Sequence, residues 1–435
     1  MSQHGSGAIA RAVVGICLCA YGHIAIAQET LYHVTTIGFL PGDRASWGDG
    51  INDLGQVALS SLDEIGGVSE AALWDPQTGM LGLGDLLGQP TPFSVARGLN
   101  ELGHVAGNAT VLDPGPRGGS TSVGTFWSPE SGMLSVGALP ASNLWSLAKD
   151  INNRDQIVGV SAAGYQPALR QEAFLWDWHN DSMFGLGDLP GGTTVSVAWG
   201  VNDHEQVVGW SCSFRGCEPF LWDRSNGMIG LGDLWNLPNF ADGTAYAINN
   251  AGQVVGYASS PQGGQAFLWE AGRGMIGLGT LPGFESFTSA RHINERGEVV
   301  GLWYHGGIPN IFIWDEANGM RIVNDMLDVS GRPFIGVDGS RGINNRGEIV
   351  CTATTMVRPE AAILTPFVLA DMNCDGRVDG GDIEPFFLAL GDLPAHAARF
   401  PDCHGDWAGD LNQDGAFNGG DIDPFFTCLA GGICR

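Results

Sequence analysis

Residues 244–258 read TAYAINNAGQVVGYA, and close variants recur around Asn52, Asn100, Asn152, Asn202, Asn249, Asn294 and Asn344. Successive copies lie 45 to 52 residues apart, the spacing of propeller blades and of some solenoids. Each copy has an apolar stretch ending at Ile-Asn or its equivalent, an Asn-x-x-Gly type of turn, and a β-branched run such as QVVGYA that returns antiparallel. Asn and Gly suit that turn because both tolerate positive φ.

A third stretch follows as EAALWD, TFWSP, EAFLWD, EPFLWD, QAFLWE and IFIWD, carrying Trp74, Trp127, Trp176, Trp222, Trp269 and Trp314. The fourth is the GMIGLGDL-like run. After the seventh turn the third stretch reads AAILTP, with Leu364 at the Trp position, and no fourth stretch follows. The missing piece stands at the other end of the chain as HVTTIGFLPG. A ring closed by exchange between its ends explains the split, whereas an open solenoid would call for capping repeats. The expectation is an all-β seven-bladed β-propeller over residues 28–370, closed by N- and C-terminal strands, with the Trp residues filling space between blades.

The phrases AFLW, LGDLPGG and IN-x-x-GQVVG resemble the HAF-type extracellular repeats of secreted bacterial proteins, and the resemblance covers all seven units. It implies an extracellular propeller-like domain and carries no catalytic residues with it. WD40 repeats are a weaker comparison, because Leu-Trp-Asp is present without its Gly-His partner.

Residues 1–27 have the form of a secretory signal peptide: Arg11, then the apolar AVVGICLCAYGHIAIA, then Ala25-Ile26-Ala27 before Gln28. The apolar run is too short and interrupted for a membrane span. A formal net charge of −27, with Lys149 as the only lysine, makes nucleic acid and anionic membrane poor partners. In an oxidising compartment Cys212 and Cys217 would close a short local bridge, while Cys374, Cys403, Cys428 and Cys434 allow three pairings. Cys351, inside a strand pattern, reads as a buried, unpaired thiol.

The last 65 residues, 371–435, form a second domain with two copies of a loop followed by a short helix, ADMNCDGRVDGGDIEPFF and GDLNQDGAFNGGDIDPFF. Ca2+ takes six to eight oxygens, and carboxylates or amides at loop positions 1, 3, 5, 9 and 12 with a carbonyl at 7 supply them. The first loop offers Asp371, Asn373, Asp375, the Arg377 carbonyl, Asp379 and Asp382. The second offers Asp410, Asn412, Asp414, the Ala416 carbonyl, Asn418 and Asp421. Gly376 and Gly415 stand where the chain must turn sharply, Val378 and Phe417 suit a small strand pairing, and Phe386, Phe387, Phe425 and Phe426 would form a thin core. The pair resembles the type I dockerin repeat, with Asp at position 12 in place of the Glu of ordinary EF-hands. That implies two Ca2+ ions and a cohesin-like or cell-surface partner. Gly380-Gly381 and Gly419-Gly420 depart from the Ser or Thr that cellulosomal dockerins often have at the partner-contact positions.

Asp85, Asp188 and Asp233, repeated after Leu-Gly, read as turn acceptors ahead of a ring of ligands. Trp178, Trp235 and Tyr304 break the repeat and are candidates for carbohydrate contact. His104, His179, His204, His292 and His305 fall at unequal offsets and read as satisfied surface or turn residues. No nucleophile elbow, zinc-binding His pair or phosphate loop is present. The expectation is a secreted non-catalytic binding or structural protein attached through its calcium module. The alternative is a polysaccharide-degrading glycoside hydrolase using two facing carboxylates from among Asp63, Glu64, Glu70, Glu172 and Glu285.

Overall fold

The computed structural model describes residues 30–430 apart from 64–68, 87–92, 113–119, 141–144, 164–169, 193–194, 236–240, 282–286, 306–307, 332–335, 355–357 and 402. The expected signal peptide, Glu64, Glu285 and Cys434 lie outside the described residues.

Six repeats form four antiparallel strands each, as in Ser146–Ile151, Gln156–Ala163, Arg170–Asp177 and Ser182–Gly185. The turn between the first two strands is built by its Asn. Asn152 Oδ1 accepts the N–H groups of Arg154 at 3.0 Å and Gln156 at 2.9 Å, replacing the backbone acceptors lost where the chain reverses. The third residue after the Asn is left-handed throughout. Five copies place Gly there, and Asp155 (φ 55°) and Glu205 (φ 62°) take the same conformation in the other two.

The first strands contact one another in succession, which makes them the inner wall. In the third strands, Trp176 pairs with Ile157 and Trp222 with Val207. Leu364 pairs with Ile349 in the same register. Apolar clusters bridge adjacent repeats: Phe126 and Val136 of the second pack with Ile157, Phe174 and Trp176 of the third. The Trp row is therefore interior, as core filling requires.

Asn52 Nδ2 donates to the carbonyl of Asn100 at 3.1 Å, Asn100 to Asn152 at 3.0 Å, Asn152 to Asn202 at 2.9 Å and Asn202 to Asn249 at 3.0 Å. Asn249 donates to Asn294 at 3.1 Å, Asn294 to Asn344 at 3.0 Å, and Asn344 back to Asn52 at 3.0 Å. These bonds form a closed circuit. Beside the seam, strand Thr30–Gly38 lies antiparallel to Pro359–Val368, with His33 opposite Thr365 and Gly38 opposite Ala361.

The expectation of a seven-bladed propeller is corrected by the pairing between sheets. Among the described residues there are five separate four-stranded blades and one eight-stranded sheet. In the latter the fourth and fifth repeats are fused by parallel pairing of Gly216 with Ala241 and Cys217 with Asp242. The inner strand Ala241–Ile248 has eight residues where Ser196–Val201 has six, so its start reaches the hairpin tied by the Cys212–Cys217 disulfide. Repeat spacing fixes the strands within a unit; lateral pairing depends on the path of the connecting loops.

The C-terminal region holds four helices: α1 Ile383–Gly391, α2 Leu393–Arg399, α3 Gly405–Gly409 and α4 Ile422–Leu429. The sequence reading expected one helix after each loop, and α2 and α3 in the intervening segment went unread. A 3-10 turn precedes each outer helix, extending them to residues 380–391 and 419–429. Two further expectations are corrected. Val378 and Phe417 lie in no strand among the described residues, and Phe387 and Phe426 are 45% and 44% exposed. The core is instead the stack of Phe386 on Phe425, with Phe417 against its edge. No described helix is long and apolar enough to cross a membrane.

Candidate functional site

Two sets of side chains gather around the propeller axis. The residue after each ring Asn accepts the backbone N–H of the preceding copy. Glu101 accepts from Asp53, Asn153 from Glu101, Asp203 from Asn153 and Asn250 from Asp203. Glu295 accepts from Asn250, Asn345 from Glu295 and Asp53 from Asn345. Four of these seven are acids, so the turn end of the channel has an acidic rim. Burial, followed by the charges of Asp53 and Asp203, outweighs the Asp53 N–H bond and raises the Glu101 carboxyl above its ordinary value.

The second set went unread in the sequence. Three residues before each ring Asn the register between first and second strands slips, at Asp49, Arg97, Lys149, Trp199, Tyr246 and Arg291. A bulge of this kind re-aims the side chain of its extra residue. The re-aimed side chains meet across repeats. Arg97 Nη1 lies 3.2 Å from Asp49 Oδ1. Lys149 Nζ stands 4.2 Å above the ring of Trp199, which meets Tyr246 edge-on at 5.4 Å. The Arg291 guanidinium stands 4.2 Å above Tyr246. Burial, partly offset by the Arg291 charge, raises the Tyr246 hydroxyl pKa. The available signal was the contrast within the repeat: the preceding position is always Gly, Ala or Ser while this one changes chemical type from copy to copy.

The predicted calcium loops share one internal frame. Asp371 Oδ2 accepts from Gly376 at 3.0 Å and Asp410 Oδ2 from Gly415 at 2.9 Å; both glycines have positive φ. Asn373 and Asn412 each accept from the residue two on, as do Asp375 and Asp414, and Asp379 and Asn418. Asp382 and Asp421, both fully buried, bind backbone N–H groups at the start of their own loops and at the helix entry. The Ala416 carbonyl accepts from Asn418 Nδ2. Asp371 Oδ1 is buried without a hydrogen-bond partner. Its carboxyl is pushed up to about 6, by burial first and then by the charges of Asp382 and Asp375. The oxygen donors suit a hard cation in kind and order. Among the described residues, however, no group of three or more His, Cys, Asp or Glu side chains stands close enough to hold a metal.

The other predicted residues are scattered. Glu70 and Glu172, two of the candidate hydrolase carboxylates, hold equivalent places and accept the N–H groups of Gly84 and Gly187, as Glu218 does from Gly232. They brace their own fourth strands. Asp233 accepts from Trp235 at 2.8 Å; Asp63 and Asp85 follow strands of the first repeat and Asp188 the last strand of the third. His104 takes the place that Gln holds in four other copies and Glu in two, with Nδ1 2.8 Å from Asp155. His179 and His204 bond through their backbone N–H to Asp177 and Asn202; His292 and His305 lie on strands Thr288–Ile293 and Val299–His305. Trp178 packs on Phe126 at 4.8 Å, which corrects its reading as an exposed sugar contact, whereas Trp235 is 43% exposed. Tyr304 joins a row of rings leading outward from the axis. Tyr246 meets Tyr257 at 6.1 Å, Tyr257 meets Phe287 at 5.1 Å, and Phe287 meets Tyr304 at 5.9 Å.

No protein-family model and no curated protein matches the chain. Among solved structures, an oligogalacturonate lyase in complex with manganese is similar over 78% of this chain and 97% of its own, at 11% identity and a TM-score of 0.47. An oligogalacturonate lyase from Vibrio parahaemolyticus matches at 10% identity and a TM-score of 0.48, covering 78% of this chain and 98% of that one. The Dos1 propeller matches at 11% identity and a TM-score of 0.38, covering 71% and 74%. None of these likenesses reaches a TM-score of 0.5, and the propeller assignment rests on the strand pairing.

Proposed function

We propose that this chain is a secreted, non-catalytic binding protein in which a propeller presents a ligand surface and residues 371–435 form a calcium-stabilised attachment module. The observation that carries the reading is the repeated frame of the two loops. Equivalent oxygens at positions 1, 3, 5, 9 and 12 are held by the same backbone bonds in copies 39 residues apart, as Asp371 and Asp410 show. Crowded carboxylates of this kind repel one another until a cation neutralises them. Export is supported by the signal-peptide pattern and by the Cys212–Cys217 and Cys374–Cys403 disulfides. The neighbouring exposed rings of Phe387 and Phe426, 6.3 Å apart, support a protein partner on the α1 and α4 face. The bracing roles of Glu70 and Glu172 count against the hydrolase alternative.

The test is calcium titration of the purified full chain by calorimetry, with proteolysis of the C-terminal region followed in calcium and in chelator. Two binding events and calcium-dependent protection, both abolished by Asp375→Ala with Asp414→Ala, are expected. Equal protease resistance with calcium, with chelator and in the double variant would remove the module from the proposal.

A further inference from the structure

We infer that the bulge residues around the axis form a binding site for the acidic terminal sugar of a short oligosaccharide, with the aromatic row seating the neutral sugars behind it. The inference rests on the reading of the propeller as a binding surface and goes beyond it in naming the ligand.

The site concentrates positive charge within a strongly acidic protein. The only lysine of the chain, Lys149, and Arg291 hold the bulge position on either side of Trp199 and Tyr246, Arg97 holds it in the second repeat paired with Asp49 at 3.2 Å, and Arg341 has the same sequence offset in the seventh copy. Lys149 and Arg291 sit over aromatic faces, an arrangement that keeps a cation in place. Two donors, Trp199 Nε1 and Arg291 Nε, are buried with no hydrogen-bond partner among the described residues. Buried donors of that kind are uncommon and call for an acceptor. Trp199, Tyr246, Lys149 and Arg291 all retain partial exposure, so the cluster is reached from outside.

The chemistry narrows the ligand. A carboxylate or sulfate group accepts from guanidinium and indole N–H alike. The ring faces of Trp199 and Tyr246 favour a flat ligand beside that anionic group. The row through Tyr257, Phe287 and Tyr304 continues the platform away from the Asn turns, since Phe287 immediately precedes the inner strand that ends at Ile293. The acidic rim at the turn end repels an anion, which directs entry along the aromatic side. A polyanion is disfavoured by the net charge of −27; one anionic group on an otherwise neutral chain is not.

Calorimetry on the full chain would compare glucuronosyl-capped cellobiose, cellotriose, free glucuronic acid and 3′-sulfated lactose, each with calcium and with chelator. That separates a failure of the calcium module from a failure of the axial site. The capped trisaccharide is expected to bind at least about tenfold more tightly than cellotriose and than free glucuronic acid. The sulfated sugar reports whether sulfate substitutes for carboxylate. Lys149→Ala and Arg291→Ala should each weaken the capped sugar by about tenfold or more, and Trp199→Phe should retain more affinity than Trp199→Ala, at unchanged Tm. Equal binding of cellotriose overturns the acidic class, and equal binding of glucuronic acid overturns the aromatic platform. Failure of both anionic sugars to bind, or folded variants that bind as the parent does, overturns the site.

Discussion

The imidazole of His33 lies flat on the indole of Trp407, with ring centroids 3.6 Å apart and planes 11° from parallel. His404 covers the other face of the indole at 3.9 Å, and His33 Nδ1 is held by Asp328 at 2.8 Å. The strand that closes the ring therefore also anchors the C-terminal module. A cavity of about 210 Å³ beside this stack is lined by Phe367, Leu369, Asp410 and Phe417. Trp407→Ala removes the middle ring of the stack from a half-buried site, and a loss of about 2–3 kcal/mol is expected. Chemical unfolding should show the module melting apart from the propeller in the variant. A single unshifted transition would mean that the stack does not couple the two.

The ring Asn residues are the second place where one side chain holds several elements. Asn202 donates to Gln206 and to the carbonyl of Asn249, and accepts from the N–H groups of His204 and Gln206. Because Asn202 is 4% exposed, Asn202→Ala leaves four bonds unmade, the one to the Asn249 carbonyl buried and the other three part-buried. At about 1 kcal/mol or more for each, the expected loss is about 3–5 kcal/mol. Exposed Asn226→Ala, which touches only its own turn, should cost less than about 1 kcal/mol. Denaturant titration of the two variants would decide, and equal losses would contradict a special role for the ring.

The strands within each repeat were legible because apolar alternation, Asn-x-x-Gly turns and Trp register all point to the same answer. The partner of the opening strand was legible too, since HVTTIGFLPG completes a unit that AAILTP leaves unfinished. The fused eight-stranded sheet was not, because Gly216 and Ala241 pair across a connection whose path no local pattern encodes. The bulge residues were hidden for a different reason. Without the register slip, Lys149 and Trp199 would each be one more residue of a strand, with nothing to show that their side chains meet. In the C-terminal region, spacing identified the Gly376 and Gly415 turns but not which Phe residues turn inward. That choice is set by helix direction, which buries Phe386 and Phe425 and turns Phe387 and Phe426 outward.

The Cys374–Cys403 bridge spans 29 residues and ties the first loop to the segment between α2 and α3. For a closed loop of this length the loss of unfolded-chain entropy is worth about 3–4 kcal/mol. Cys374→Ser with Cys403→Ser should therefore expose residues 371–430 to protease under conditions that leave the parent intact, while the propeller core stays resistant. Mass spectrometry of the fragments would show which part is cut first. Cleavage beginning in the propeller would count against a local role for the bridge.

Asp150 gives the propeller a distinctive pH dependence. It stands beside the bulge at Lys149, where four other copies have Gly at the equivalent first-strand position, and its Oδ2 accepts the Val201 N–H at 3.0 Å. Lost hydration, helped by the charge of Asp203 and opposed by the Val201 and Ile151 N–H bonds, pushes its carboxyl from 3.8 to about 6. Between these values the folded chain holds a proton that the unfolded chain has released. Its contribution is thus fully stabilising below the unfolded value and is lost as pH rises through about 6. At pH 8 the ionised carboxyl should cost up to about 3 kcal/mol. Asp150→Asn keeps an oxygen for the Val201 N–H and removes the charge. The variant is expected to match the parent near pH 4 and to exceed its stability increasingly toward pH 8, as measured by urea unfolding across that range. A difference that stays constant with pH would mean that Asp150 ionises in the folded protein as readily as in the unfolded chain.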